Sequence, residues 1–316
     1  MSANSKNRNL TGGAGLGKTL KTLYAQRHLY LLMLPAFVIL ILFSYQPMYG
    51  AIIAFKNYNP MLGIWGSKWA GLQQFTKLFN SIFFYRVLTN TVLISLYHLV
   101  WGFPMPIILA LLLNEITNTK LKRTIQTITY LPHFLSWVII GGFVFNLLSP
   151  SQGVLASIAK LAGLRYDAAP LADPKYFRTI LVASGIWQNI GWGTILYLAA
   201  ITGIDPELYD AADIDGAGRL TKIINITLPG IMPTIATLLI LRMGGIMSSN
   251  FEQIFVLYSP SVYGVGDVIS TYVYREGIGR ANFSYTTAMD LFRSVINFGL
   301  IIVTNRISRS LGRSMW

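Results

Sequence analysis

Long apolar runs alternate with short polar ones along this chain. Six apolar stretches lie at about 29–49, 87–113, 128–148, 180–201, 230–249 and 285–304. Each approaches the roughly 20 residues that a helix needs to cross the hydrocarbon core of a bilayer. Inside lipid an open backbone has no water to bond, so each run is expected to close its own hydrogen bonds as a helix. The pattern therefore predicts an all-α membrane protein of six transmembrane helices. Pro35, Pro104, Pro106 and Pro132 fall inside these runs. Proline removes a backbone donor, so kinks are expected there, tolerated where neighbouring helices satisfy the freed carbonyls. The first run is not preceded by the small-residue pattern of a signal cleavage site, so it reads as a retained span.

Two polar segments interrupt this pattern most sharply. Residues 1–28 are polar and basic, and read as a cytoplasmic tail ahead of a transmembrane domain at 29–316. Within the tail, residues 12–19 (GGAGLGKT) satisfy G-x-x-x-x-G-K-[ST] literally. A working phosphate loop needs a buried strand before it and a helix after it. The preceding MSANSKNRNLT cannot supply that strand, so a flexible basic tail is the expectation.

The second segment is the polar island at 203–233. It carries five of the chain's twelve carboxylates: Asp205, Glu207, Asp210, Asp213 and Asp215. Asp210-Ala211-Ala212 favours a compact helix, and Gly216, ahead of Ala217, allows a turn with φ > 0. A short helix, a tight turn, a second short helix and re-entry into the membrane are expected.

Composition narrows the class. Charged residues make up 12% of the 316 positions, about half the share of a soluble domain. The net charge of +13 is scattered between apolar runs and not gathered on one face, which points to cytoplasmic loops and anionic headgroups and away from nucleic acid. The chain has no cysteine, and its three histidines (His28, His98, His133) have no ligand spacing, so no metal site is expected. With the N-terminus inside, the cytoplasmic segments hold 13 of the 25 basic residues and the longer outer loops ten. That modest bias puts both termini and the polar island in the cytoplasm. The outer loops, at about 50–86, 149–179 and 250–284, are rich in Gly, Pro and aromatics. Pro47, Tyr49, Trp65, Trp69 and Phe75 suit an interfacial belt or contact with an external partner.

The island resembles the EAA loop of permease subunits of binding-protein-dependent ABC importers. That family has a Glu-Ala-Ala triplet, a Gly six residues after the Glu, and an Ile-x-Leu-Pro ending after nine more residues. Here Asp210-Ala211-Ala212, Gly216 and Ile226-Thr227-Leu228-Pro229 keep every spacing, with Asp210 where the family has Glu. Further passages are similar to the oligosaccharide permeases grouped with LplB and the aldouronate transporters, within the maltose-type importers. They are Tyr45-Gln46-Pro47-Met48-Tyr49-Gly50, Ala54-Phe55-Lys56-Asn57-Tyr58, Tyr130-Leu131-Pro132-His133-Phe134-Leu135-Ser136-Trp137 and Asn305-Arg306-Ile307-Ser308-Arg309. The resemblance runs from about residue 28 to the end.

It implies the type I importer permease fold, with loop 203–229 presenting a cytoplasmic coupling helix. It also implies partners: a second related permease, two ATP-binding subunits that hold ATP and magnesium, and an extracytoplasmic solute-binding protein. This chain would bind no cofactor and catalyse nothing. It would form half of the pathway for an oligosaccharide across the bacterial cytoplasmic membrane. The coupling residues would be Glu207, Asp210, Ala211, Ala212, Asp215, Gly216 and Ala217, seated on an ATPase, with Ile226, Leu228 and Pro229 passing the motion into the fifth span. Asp210 and Asp215 would pair with donors on the partner or cap the short helices.

Polar residues inside spans are costly unless they face protein or water, so they are the candidates for the pathway. They are Gln188, Asn189 and Trp192 beside Trp187 in span four, Arg242, Ser249 and Asn250 in span five, and Asp290, Arg293 and Asn297 in span six. By alignment on the EAA loop, 188–192 and 242–250 match the family's sugar-lining regions. Packing between helices is the other reading for each amide and Trp. Asp290 can neutralise Arg293 one turn away. Arg242 has no such neighbour, and a guanidinium fork suits a uronic-acid carboxylate. Two alternatives stand beside this reading: a permease of the same superfamily for a non-sugar solute, and an ion-coupled secondary transporter, which would need intramembrane acids and inverted repeats.

Overall fold

The computed structural model describes residues 26–310 except 165, 167 and 249. The basic tail before residue 26, with its glycine-rich match at 12–19, lies outside the described residues, as does Ser249. The chain forms two compact units, Met1–Ile52 and Ile53–Trp316. In the first, α1 (Arg27–Leu40) runs through Pro35 into a π-helical turn at Ile41–Tyr45. Helix continues to Phe55, giving a 29-residue apolar run, Arg27–Phe55, long enough to span.

The second unit opens with a short antiparallel ladder, β1 (Lys56–Asn57) with β2 (Lys68–Trp69), the one departure from an all-helical chain among the described residues. Lys56 is buried there because its ammonium donates to the carbonyls of Ile64 (2.6 Å) and Ser67 (3.4 Å). Trp69 stacks on Phe55 with ring centroids 5.9 Å apart, while Trp65 and Trp69 stay largely exposed. The short α2 (Gln73–Phe79) then leads to the second span.

That span is continuous from Ile82 to Glu115, 34 residues. It consists of α3 (Ile82–Tyr97), a π-helical turn (His98–Gly102) and α4 (Pro104–Glu115). Pro104 opens α4 just after the π-helical turn.

The expected single span at 128–148 is corrected by the structure. α5 (Thr119–Tyr130), capped by Asn118, passes into a 3₁₀ turn at Leu131–Phe134. α6 (Trp137–Leu148) then starts afresh under a Ser136 cap, bent by 107° from the helix before it. Pro132 lies in the turn and cannot donate to a continuing helix. The Pro132 kink was expected but its size was not, and α5 before it is largely polar (Lys120, Lys122, Arg123, Gln126), so only its last residues belong to the apolar run.

After α7 (Val154–Leu161) comes α8 (Pro174–Thr202), 29 residues and about 43 Å long at 1.5 Å per residue. Asp173 caps it by accepting from Lys175 N at 2.8 Å, and Gly203 ends it. α8 is long enough to span. Ser184, Gln188, Asn189, Thr194 and two Trp make it less apolar than the others, and it falls outside the four described helices that are both long and apolar enough to cross. It is also the hub of the second unit, lying against α4, α5 and the helices Leu228–Gly244 and Phe251–Leu257.

The polar island folds as α9 (Pro206–Ile214) and α10 (Arg219–Lys222). Through a π-helical turn at Ile223–Thr227 the chain passes into α11 (Leu228–Gly244). The expected second short helix is therefore not separate: Arg219–Gly244 is one 26-residue helix. It ends five residues short of the expected 249, because Gly244-Gly245 and the polar residues after them release the chain. Residues 251–273 hold α12 (Phe251–Leu257) and α13 (Ile269–Val273), and α14 (Phe283–Ser310) is the last described helix.

Three apolar clusters hold the second unit together. Phe84, Val87, Met247, Ile269 and Met289 join α3, α13 and α14. Ile94, Phe177, Leu181, Ile254 and Val268 join α3, α8 and α12. Ala110, Tyr197, Ile201 and Ile231 join α4, α8 and α11. The apolar side chains left exposed lie mainly along the spans, as expected of surfaces whose solvent is hydrocarbon.

Candidate functional site: the polar island and a cavity among the spans

The polar island is built by local rules. Asp205 accepts from Glu207 N at 3.0 Å and so caps α9, and Pro206 fills the first turn. Glu207 adds a negative charge at the helix N-terminus, where the backbone dipole favours it. At the other end Gly216 takes φ +72°. Its N–H bonds Asp213 O at 3.1 Å, and Ala217 N bonds Ala212 O at 2.8 Å. These are the two bonds of a Schellman C-cap, which needs a left-handed residue at this place. The glycine is therefore required by the backbone, and the spacing from triplet to glycine is the length of the helix plus its cap.

Asp205, and not Asp210 or Asp215, supplies the helix cap. Glu207, Asp210, Ala211 and Asp215 are exposed, and so are the neighbouring Leu208 and Ile214; Ala212 and Ala217 are half-buried. The inner side of α9 is held by two residues that the sequence reading did not single out as site residues. The Tyr209 hydroxyl lies 2.9 Å from the hydroxyl of Thr227, which is buried in the π-helical turn. Asp213, one turn on, pairs with Lys222. Four residues apart on a helix, Tyr209 and Asp213 share a face, and that pattern was the available signal. Ile226 and Leu228 are half-buried beside the turn, and Pro229 lies exposed in the first turn of α11.

Among the pathway candidates, the structure brings Asn189, Trp192, Arg242 and Asn250 to one cavity of about 280 Å³ between the spans. His98, Pro106, Gly185 and Leu238 complete much of its wall. Asn189 is fixed by donating to Gly185 O (3.0 Å) and Gln188 Oε1 (3.1 Å), with His133 Nδ1 3.2 Å from its oxygen. The His133 ring stacks flat on Trp192, with centroids 4.6 Å apart and planes 3° from parallel. One face of Trp192 is thus occupied, while its side chain remains about half exposed. Asn250 donates to Gln253 Oε1 at 3.4 Å, and the fully buried Gln253 donates to Leu181 O (2.6 Å) and Ser184 Oγ (3.0 Å).

Gln188 and Arg293 are not brought to this cavity. Gln188 is buried and donates to Leu135 O at 3.2 Å, satisfying a carbonyl freed by the break between α5 and α6. Arg293 pairs with Asp290 at 3.0 Å on its own helix. Asn297 accepts from Met247 N at 3.2 Å and ties α14 to the chain beyond α11.

A second network pins the loop between α12 and α14. Asn90 donates to the carbonyls of Gly264 (3.1 Å) and Asp267 (3.0 Å), and accepts from Arg178 at 2.8 Å. Asp267 is held by both arms of Arg275 (2.6 and 3.2 Å) and by the Thr271 hydroxyl (2.8 Å). Burial alone would lower the Arg275 guanidinium, but the Asp267 carboxylate outweighs it and the net shift is upward. Burial, with Tyr263 beside it, pushes the Tyr258 phenol up to about 12. Among the described residues no cluster of His, Cys, Asp or Glu could hold a metal ion.

Residues 102–315 match the family described as binding-protein-dependent transport system inner membrane component. The polygalacturonan/rhamnogalacturonan transport system permease protein YteP of Bacillus subtilis is 41% identical over 291 residues, 92% of this chain and 90% of that one. Protein LplB of the same organism is 42% identical over 301 residues, 95% of this chain and 94% of that one. A chain of a bacterial ABC transporter involved in import of the acidic polysaccharide alginate superposes with a TM-score of 0.85 at 41% identity, covering 93% of this chain and 99% of that chain. A chain of the bacterial alginate transporter solved with an alginate pentasaccharide-bound periplasmic protein gives the same TM-score and identity.

Proposed function

The chain belongs to the family of inner membrane components of binding-protein-dependent transport systems, and from that premise we propose that it is the permease subunit of an importer for acidic oligosaccharides. It forms half of the translocation pathway. A second, related permease supplies the other half, two ATP-binding subunits carry ATP and magnesium, and an extracytoplasmic solute-binding protein delivers the sugar. The chain itself performs no catalysis. Both termini and the polar island face the cytoplasm.

The observation that carries the substrate reading is the convergence of Arg242, Asn189, Asn250 and Trp192 on one cavity among the spans. Amides suit sugar hydroxyls, the exposed part of Trp192 suits a pyranose face, and the guanidinium suits a carboxylate. The relatives named for polygalacturonan, rhamnogalacturonan and alginate transport agree with an acidic cargo. The test is uptake by the reconstituted importer carrying Arg242→Gln, with acidic and neutral oligosaccharides of equal length. Selective loss of the acidic sugar supports the reading, and equal loss of both removes Arg242 from it.

The coupling role rests on α9. Its outward face carries Glu207, Leu208, Ala211, Ile214 and Asp215, while its inner face is fastened to the root of α11 by Tyr209 and Asp213. A push on α9 is thereby delivered to a helix that runs unbroken to Arg242 and Gly244. An ion-coupled transporter is disfavoured: its best intramembrane acid, Asp290, is already paired with Arg293.

A further inference from the structure

His98 has no part in the reading above, yet its surroundings are built around it. It opens the π-helical turn His98–Gly102 in the middle of the 34-residue second span. Such turns shift the side-chain register of a helix and recur where a side chain must be aimed off it. On α8 the facing position is Gly185. A Cβ there would stand 2.7 Å from His98 Cε1, so the glycine is a notch that admits the imidazole.

The ring lines the 280 Å³ cavity and a smaller adjoining one of about 30 Å³, and Arg242 and Asn250 line both. Asn189 and Asn250 are committed to protein partners. Neither the imidazole of His98 nor the guanidinium of Arg242 makes a hydrogen bond or ion pair among the described residues. Polar groups at this depth are costly unless they meet protein, water or a ligand.

We propose that His98 is a specificity-determining residue that reads the transported sugar together with Arg242. This rests on the acidic-oligosaccharide reading and deepens it. The Arg242 fork binds a uronate carboxylate. The neutral imidazole has one donor and one acceptor. Its N–H donates to the same carboxylate and its other nitrogen accepts from a hydroxyl on the same ring. At about 280 Å³ the cavity is at the small end for a ligand site, so it holds one part of the chain at a time. Selection for acidic sugar is then made within the membrane as well as at the solute-binding protein.

The test compares uptake by the reconstituted importer of an oligogalacturonate and a neutral oligosaccharide of equal length, each as sugar moved per ATP hydrolysed. His98→Phe keeps a flat ring and removes both nitrogens. It is expected to reduce acidic uptake about tenfold more than neutral uptake, the scale of one lost hydrogen bond to a charged group. His98→Gln restores a donor and an acceptor and is expected to recover the acidic preference. Equal loss of both sugars in His98→Phe, or no recovery in His98→Gln, overturns the proposal. Arg242→Gln run alongside separates the two claims. If it is selective and His98→Phe is not, the acidic-sugar reading stands and the role of His98 falls. If it is unselective while His98→Phe is selective, His98 stands and the assignment of Arg242 falls.

Discussion

The hydroxyl of Tyr209 on α9 lies 2.9 Å from the hydroxyl of Thr227, at the π-helical root of α11. Eighteen residues separate them in sequence. Thr227 is buried, so the bond forms where water competes little, and it fixes the angle at which α9 hangs from the span. Its removal by Tyr209→Phe should cost about 1 kcal/mol. In the reconstituted importer, ATP hydrolysis should continue while sugar moved per ATP falls. Unchanged uptake in this variant would show that the bond transmits nothing.

The neighbouring Asp213–Lys222 pair should matter less. Asp213 is 62% exposed, and an exposed pair contributes about 0.2–1 kcal/mol and is screened by salt. Lys222→Met should lower coupling by less than Tyr209→Phe does, and the deficit should disappear when uptake is measured at high ionic strength.

Gly216 holds φ +72°, which proline cannot adopt. Proline would also remove the N–H that bonds Asp213 O at 3.1 Å. Gly216→Pro should leave the subunit inserted, as judged by membrane fractionation, but uncouple ATP hydrolysis from uptake. Gly216→Ala should be milder, with strain of about 1–2 kcal/mol. Full uptake in the proline variant would count against the coupling role of the loop.

Gln188→Leu should destabilise the subunit without a defect specific to acidic sugar. It leaves the Leu135 carbonyl, now bonded at 3.2 Å, without its donor at the break. An unsatisfied buried acceptor costs about 1–3 kcal/mol. A lower melting temperature in detergent, with an unchanged ratio of acidic to neutral uptake, is the expected pair of results.

Asp267→Asn removes the charge that Arg275 grips with both arms. Asp267 is nearly buried and Arg275 is 29% exposed, so the loss should be about 2 kcal/mol, below that of a fully buried pair. Limited proteolysis from the outer side should then cut the 259–282 segment faster than in the parent protein.

Much of this was legible in the sequence because it depends on local pattern. Apolar runs of spanning length, the Asp205–Pro206 start and the Gly216 stop of α9, and the spacing to Leu228-Pro229 follow from rules that act over a few residues. Pro132 announced a kink near Leu135–Ser136, but the 107° size of the bend was not legible, since packing and not hydropathy sets it. Nor was the division among the polar residues of α8. Gln188 and Asn189 are adjacent in sequence, but successive residues on a helix point about 100° apart. One therefore mends the break, and the other meets the cavity.

The sequence by itself determined that this is a helical membrane protein with a capped polar hook, because bilayer thickness and helix capping read residues only against their near neighbours. Tertiary structure alone decided which polar groups share a space. His98, Asn189, Arg242 and Asn250 come from three separate helices and the segment after one of them. Their meeting depends on helix packing, on a glycine notch at 185 and on a π-helical turn at 98, none of which has a period that can be read along the chain.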